Sequence, residues 1–380
     1  RAAKNNYSLK QRYSLLDRIS IAIANIEHHE QDVSYIEAII ETLGVANLPI
    51  FYNKLIAFLK HENDAVVITA IKAIGTATDP TLAQHLIPFL GQKNYRPFVM
   101  EAFKLYGVQI IPLLSKNVQD RLQPLSVLRF IPAAMQTFHS KEAVHHLLSI
   151  LTDKDLTIRL EVVRALSAIR TTHPHLKFNR YKVVSVIFDE CKLHHQTLSA
   201  MHTQIIISYR NRNKSKKEIG DAERDARTSL LELLERRLDS GLERIFKLLG
   251  LRYQQKDVAI AYEGLLSQKQ EAQHNAIEFL DNLLTGELKR KLLPIIEESA
   301  LDISSEEELQ KIKHKIPTEL ECFKLLLQGN DLKIKLAVLY LIAQQKEPRY
   351  LSMVENLLND ADPKIRSFAL EAQQAITTEV

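Results

Sequence analysis

Along most of the chain apolar residues recur three and four positions apart, the period of one helix face. Residues 274–296, "HNAIEFLDNLLTGELKRKLLPII", hold two such stretches around Thr285-Gly286, with leucine and isoleucine filling one side of each. Few stretches alternate with period two long enough to be strands. The pattern predicts an all-helical chain of about 20 helices, mostly of about 10–15 residues with short connections. Start signals punctuate it. Asp79 followed by Pro80, and Asp362 followed by Pro363, read as an N-cap with proline at the first helical position. Ser304 with Glu307 reads as a capping box.

The helices repeat. "DAVVITAIKAI" from Asp64, "DLTIRLEVVRALSAI" from Asp155, "DLKIKLAVLYLI" from Asp331 and "DPKIRSFALEAQQAI" from Asp362 align. Each has an Asp, then an aliphatic three residues on: Val67, Ile158, Ile334 or Ile365. In the last three a cation follows: Arg159, Lys335 or Arg366. The Asp caps the helix and suits its positive end, the aliphatics form a buried face, and Ala165 and Ala369 permit close helix approach. Asp331 to Asp362 is 31 residues, and Asp64 to Asp155 is 91, close to three such periods, with weaker copies near Tyr95 and Pro124. A further copy fits from Gln270, with a helix start near Asp302 before Asp331. One helix pair cannot bury its own apolar face, whereas stacked pairs share a core. The expected architecture is therefore an all-α solenoid, a superhelix of about 10 stacked antiparallel helix pairs. The 115 residues from Asp155 to Gln270 are not a whole number of periods and contain a polar, basic stretch. This predicts an N-terminal array over 1–208, a basic linker over 209–229 and a C-terminal array over 230–380, either separate or continuous as one solenoid.

Composition changes the picture little. Of 380 residues, 46% are hydrophobic, which is ample for a core or several; glycine numbers 10 and tryptophan is absent, which disfavours a turn-rich β fold and phosphate-cradling loops. A net charge of +4 with both signs interspersed lacks the strong basic excess of a nucleic-acid-binding domain. The two cysteines, Cys191 and Cys322, lie far apart, which suggests a reducing compartment rather than a disulfide framework. No apolar run is expected to span a bilayer and no signal peptide is visible. The chain opens on Arg1, which suggests a piece of a longer protein.

The Asp-Pro-x-Ile-Arg opening at Asp362–Arg366 resembles HEAT repeats, which are armadillo-like helix pairs. In that family the Asp and Arg commonly form a ladder between units. Asp155/Arg159, Asp331/Lys335 and Asp362/Arg366 match, while Asp64 is followed by Ile68 and departs from it. The 31-residue period is shorter than the ~40–47 of long HEAT and armadillo units and is similar to short bacterial HEAT-like repeats. Tetratricopeptide repeats fit worse, since their Trp and Leu-Gly…Tyr pattern do not recur. Over Leu230–Glu298, "ERIFKLLGL" (243–251), "NAIEFLDNLL" (275–284) and "LLPIIEE" (292–298) occur in an order that resembles the HEAT-like region attached to bacterial ATP/ADP-translocase-like transporters of the major facilitator type. That resemblance implies a cytoplasmic domain tethered to the inner membrane through an N-terminal transporter. It supplies no nucleotide-transport residue to carry over.

Candidate chemistry is sparse. Arg210, Arg212, Lys214, Lys216 and Lys217 precede the next acid, Glu218, and could meet anionic headgroups or an acidic partner; the plainer reading is a solvated linker. Cys191 and His195 share a helix face, with His194 and His202 nearby, but no second ligand pair is evident and no metal site is expected. "EHHEQD" (27–32) and "HPH" (173–175) read as turns, and Cys322 as a buried helix residue. Glu297/Glu298 and Glu306–Glu308 are adjacent on helices and do not converge for acid–base work. No phosphate loop, dinucleotide fingerprint, nucleophile elbow or zinc-protease motif is present. The expectation is a non-catalytic interaction or regulatory scaffold without cofactor or small-molecule substrate. Its partner would be a protein, its own membrane domain or an anionic membrane surface, and nucleic acid is not expected. The alternatives are a freestanding cytoplasmic HEAT scaffold, a nucleic-acid or base-repair HEAT protein, and, by fold analogy alone, a tetrapyrrole-handling lyase.

Overall fold

A computed structural model describes residues 9–25, 32–211, 220–299 and 317–378, with side chains from residue 16 onward. Every regular element among the described residues is helical. The predicted starts at Asp302 and Ser304 lie outside the described residues. Contacts divide the chain into two compact units: Arg1–Asp153 with Ala168–Lys177, and Lys154–Ser167 with Phe178–Val380. This division falls well before residue 208, where the sequence pattern placed it.

In the first unit, α1 (Leu9–Ala24) precedes α2 (Val33–Ala46), α3 (Tyr52–Phe58), α4 (Asp64–Ala77), α5 (Pro80–Ala83), α6 (Arg96–Tyr106), α7 (Ile111–Gln119), α8 (Leu125–Leu128), α9 (Ile131–Gln136) and α10 (Lys141–Ile150). Side-chain oxygens set several starts. Asp32 accepts from the Tyr35 amide, Asp79 from that of Thr81, and Ser140 from that of Ala143. At α4 the cap is Asn63, which accepts from the Ala65 amide, and Asp64 is the first helical residue, where its charge still suits the helix dipole. The expected copies near Tyr95 and Pro124 appear as the residues preceding α6 and α8. α2 packs on α4, and α4 on α6. Both contacts need glycine: a Cβ on Gly44 would lie 2.7 Å from the Ala73 backbone, and one on Gly75 would lie 2.7 Å from the Ala102 Cβ.

Arg96–Gln119 is the one described helical run whose length and composition pass for a membrane span, contrary to the expectation of none; its mean hydropathy is 1.3. Gly107, with φ 68°, separates its two α-helical parts, and Val99, Phe103, Ile111, Leu114 and Val118 on it are buried within the unit.

The second unit holds α11 (Leu156–Thr172) as far as Ser167, its last residues being counted with the first; the helix starts at Asp155, which accepts from the amides of Thr157 and Ile158. Then come α12 (Arg180–Asn211) and α13 (Asp221–Arg252), each of 32 residues. At 1.5 Å per residue each is about 48 Å long. They run antiparallel along one another: Glu190 meets Arg244, while Gln204 meets Arg227. Residues 221–229, read from the sequence as linker, are the opening turns of α13 and bury Ala226 and Arg227. α14 (Gln255–Leu265), α15 (Gln270–Leu283), α16 (Gly286–Ser299), α17 (Glu319–Gln328), α18 (Leu332–Gln345), α19 (Leu351–Glu355) and α20 (Pro363–Thr377) pack around this pair. α15 and α16 are the two stretches quoted above, and Gly286 takes φ 61° at the turn between them. α17 opens with a capping box between Thr318 and Glu321, and Asp331 and Asp362 cap α18 and α20 as read from the sequence. Phe323, Val338, Ile342, Tyr350 and Ala369 belong to a core shared by α13 and α17–α20.

Candidate functional site

Many of the polar residues of α12 are buried. Glu190 is 1% exposed and accepts from Arg244 Nε at 2.8 Å and Arg159 Nη1 at 2.9 Å. Arg244 is itself 1% exposed. Two guanidiniums therefore share one carboxylate inside a helix interface, an arrangement whose desolvation is offset only while all members remain. About four turns further along α12, Arg227 donates to Gln204 Oε1 at 2.5 Å, Glu319 Oε1 at 2.6 Å and Glu223 Oε1 at 2.8 Å. Glu319 also accepts from the Tyr350 hydroxyl, Gln345 and Arg349. Burial and the Glu319 charge push the Tyr350 phenol well above its ordinary value. These charges tie α12 and α13 to their neighbours.

The Cys/His group of α12 disperses over different partners. His194 Nε2 lies 3.0 Å from Ser299 Oγ, whose hydroxyl donates to the Ile295 carbonyl at 2.7 Å. The network thus assigns the His194 proton to Nε2. Its Nδ1 faces Gly241, where an added Cβ would come within 3.1 Å. Burial, then the nearby Arg244 charge, lowers the His194 pKa to about 4. His195 turns to Glu298, which raises its pKa by hydrogen bonding. His202 Nδ1 lies 3.4 Å from the other Glu298 oxygen. Cys191 is buried and its thiol is pushed up to about 12 by desolvation. Among the described residues, no group of three or more His, Cys, Asp or Glu side chains is placed to hold a metal ion.

Of the basic run, Arg210 is exposed in the last turn of α12, whereas Arg212, Lys214, Lys216 and Lys217 lie outside the described residues. His28 and His29 lie outside them as well. His173 stacks on His139 at 4.4 Å between ring centroids, and His175 meets it edge-on. Glu297 is exposed and Glu298 buried, so the two diverge; Glu306–Glu308 are outside the described residues. Cys322 is fully buried.

The open surface offers what the sequence pattern missed. In the first unit a groove of about 480 Å³ runs over α3, the 84–89 segment and α7, with Ile56, Leu59, Phe89, Leu113 and Leu122 supplying its apolar lining. Its lining contains one formal charge, Lys60. In the second unit a cavity of about 410 Å³ sits between α17 and α19. Each is lined by segments that other helices separate along the chain, so no single sequence window displays either.

The chain matches no family model and no curated protein significantly. Two solved structures of engineered proteins align with it. One has 15% identity over 98% of this chain and 96% of its own, with a TM-score of 0.23. The other has 13% identity over 86% of this chain and 96% of its own, with a TM-score of 0.15.

Proposed function

We propose that this chain is a non-catalytic interaction scaffold, built as an α-solenoid of short HEAT-like helix pairs, that presents its surface to a protein partner. One observation carries the reading: side-chain bonds recur at a separation of one period. Thr69 bonds Glu37, Tyr95 bonds Asp64, the Tyr106 hydroxyl donates to the Ile74 carbonyl, and Arg121 pairs with Asp153, at separations of 31 or 32 residues. In the second unit Arg159 reaches Glu190 and Tyr350 reaches Glu319 across 31. Such bonds are what stacked units make with their next neighbours. Of the cations in the repeat pattern, Arg159 pairs with Glu190, Lys335 lies 3.9 Å from Asp360, and Arg366 donates to the Asp360 and Ala361 carbonyls. This reading has two forms: the appended domain of a translocase-like membrane transporter at the cytoplasmic face, or a freestanding scaffold.

The test is cross-linking of the native protein in its own cells, followed by mass spectrometry. The expected result is reproducible cross-links from its surface lysines to one protein, a membrane-embedded one in the tethered form and a soluble one in the freestanding form. Cross-links confined to the chain itself would overturn the scaffold reading.

A further inference from the structure

Glu190 answers only part of the positive charge gathered along the middle of α13. Arg237, Gly241 and Arg244 are spaced four and three residues apart on that helix and so share one face. It is the face turned to α12, where Arg244 meets Glu190 and Gly241 meets His194. Arg244 is 1% exposed; its Nε is bonded to Glu190, while its Nη1 is buried with no hydrogen-bond partner among the described residues. Arg237 is half-buried, and both its Nε and its Nη1 are buried without such a partner. Burial weakens the hold of Arg237 on its proton, and the charges that act on it are, strongest first, Asp331, Arg244, Glu190 and Arg159. Three guanidiniums thus face two carboxylates, and both carboxylates are already engaged. Glu190 accepts from Arg159 and Arg244, and Asp331 accepts from the amides of Lys333 and Ile334 as the cap of α18. Nothing next along α12 makes up the difference: His194 is held neutral, and Glu298 beyond it is turned to His195 and His202. The positive end of the α18 dipole, at its Asp331 cap, adds to the excess. Buried guanidinium N–H groups without an acceptor cost stability until an anion takes them.

We infer that Arg237 and Arg244 form a binding site for a small free oxyanion, inorganic phosphate or sulfate, held on their bare N–H groups beside the start of α18. Guanidiniums suit oxyanions, whose several acceptor oxygens can answer donors from two side chains at once. The burial of Arg244 leaves no room for a peptide or a lipid headgroup, whereas the half-buried Arg237 gives a small ion its way in. Once bound, the ion supplies the missing counter-charge and ties α13 to α18. The site does not depend on the scaffold reading.

The experiment follows thermal unfolding of the whole chain in millimolar phosphate, sulfate or chloride at equal ionic strength, with calorimetric titration of inorganic phosphate. The variants are Arg237→Met and, as a control, Arg236→Met, whose arginine is exposed and pairs with Glu232 one turn away. Phosphate and sulfate should raise the melting temperature of the parent by about 3 °C or more over chloride. In chloride Arg237→Met should melt no lower than the parent, because it removes a buried charge that has no partner. In phosphate it should melt lower, a reversal that general salting effects, which act on both chains alike, do not produce. Its affinity for phosphate should fall about tenfold or more, while Arg236→Met keeps that of the parent. Phosphate should also slow amide exchange in α13 and at the start of α18. Equal melting of the parent in phosphate and chloride overturns the site, as does the same phosphate shift in Arg237→Met. An Arg237→Met chain that melts well below the parent in chloride overturns it too, by showing that the guanidinium is satisfied within the protein. So does phosphate protection confined to the first unit.

Discussion

At the scale of single residues the second unit depends on protons staying where burial puts them. His194 is 3% exposed and its pKa falls from an ordinary 6.5 to about 4, through desolvation first and the Arg244 charge second. Between those values the unfolded chain binds a proton that the folded chain refuses. Stability tied to His194 is therefore full above about pH 6.5 and is lost as pH falls toward 4, by roughly 3 kcal/mol in all. His195 works with the opposite sign: Glu298 raises its pKa, so its contribution is present below its ordinary value and fades as pH rises through the raised one. Urea midpoints of the parent and His194→Gln, compared from pH 7 to pH 4.5, isolate the first effect. The parent should lose more stability than the variant across that window. Parallel curves would mean that His194 is not held neutral. None of this was legible in the sequence, which sets His195 on one face with Cys191 and names no partner on another helix for His194, His195 or His202. Their fates are set by Ser299, Gly241 and Glu298, whose place beside them is a tertiary fact.

At the scale of elements, starts were the most legible feature because a cap is chemistry within four residues. Asp79, Asp155, Asp331 and Asp362 all accept from amides two residues on. Even the faint copies near Tyr95 and Pro124 precede helices. The long interval from Asp155 to Gln270 was misread for a physical reason. α12 and α13 are 32 residues each, so one helix fills a whole period and the helix–turn–helix count fails. Their charged faces also hid their burial, since Glu190 and Arg244 look like surface residues until the 54 residues between them are folded away. Contacts between elements yield a sharper prediction. Gly44→Ala and Gly75→Ala each gain about 1 kcal/mol of helix propensity. Each also drives a methyl to within 2.7 Å of the facing helix, and relieving such overlap costs typically about 1–3 kcal/mol. The added methyls meet Ala73 Cα and O at 2.7 Å and Ala102 Cβ and Cα at 2.7 and 2.8 Å, none of which can swing aside as a long side chain would. Both variants should melt lower than the parent. Gly220→Ala, with open space around its Cβ, should stay within about 0.5 kcal/mol. Unchanged melting of Gly44→Ala would show that α2 and α4 can separate at little cost.

At the scale of the whole molecule, the period decides how damage spreads. In a stack of units, stability is close to a sum of each unit and its nearest interfaces, so a local defect loosens its neighbours and fades with distance along the chain. The bonds described above obey that rule in the first unit, where each reaches one period and no further. The second unit adds a different kind of tie: Arg227, bonded also to Gln204, reaches Glu319 across 92 residues of sequence, and Arg244 reaches Glu190 across 54. Glu190→Ala leaves Arg244 and part of Arg159 without a counter-charge, at a cost of about 3–5 kcal/mol. Its effect should reach α11, α12, α13 and α16 together. Gly75→Ala should instead raise amide exchange in α2, α4 and α6 alone. Native-state hydrogen exchange read by mass spectrometry separates these patterns. Protection lost everywhere in both variants would describe one cooperative globule and would sink the stacked-unit reading. Loss confined to α2–α6 in one variant and to the long helix pair with its neighbours in the other is what nearest-neighbour coupling requires.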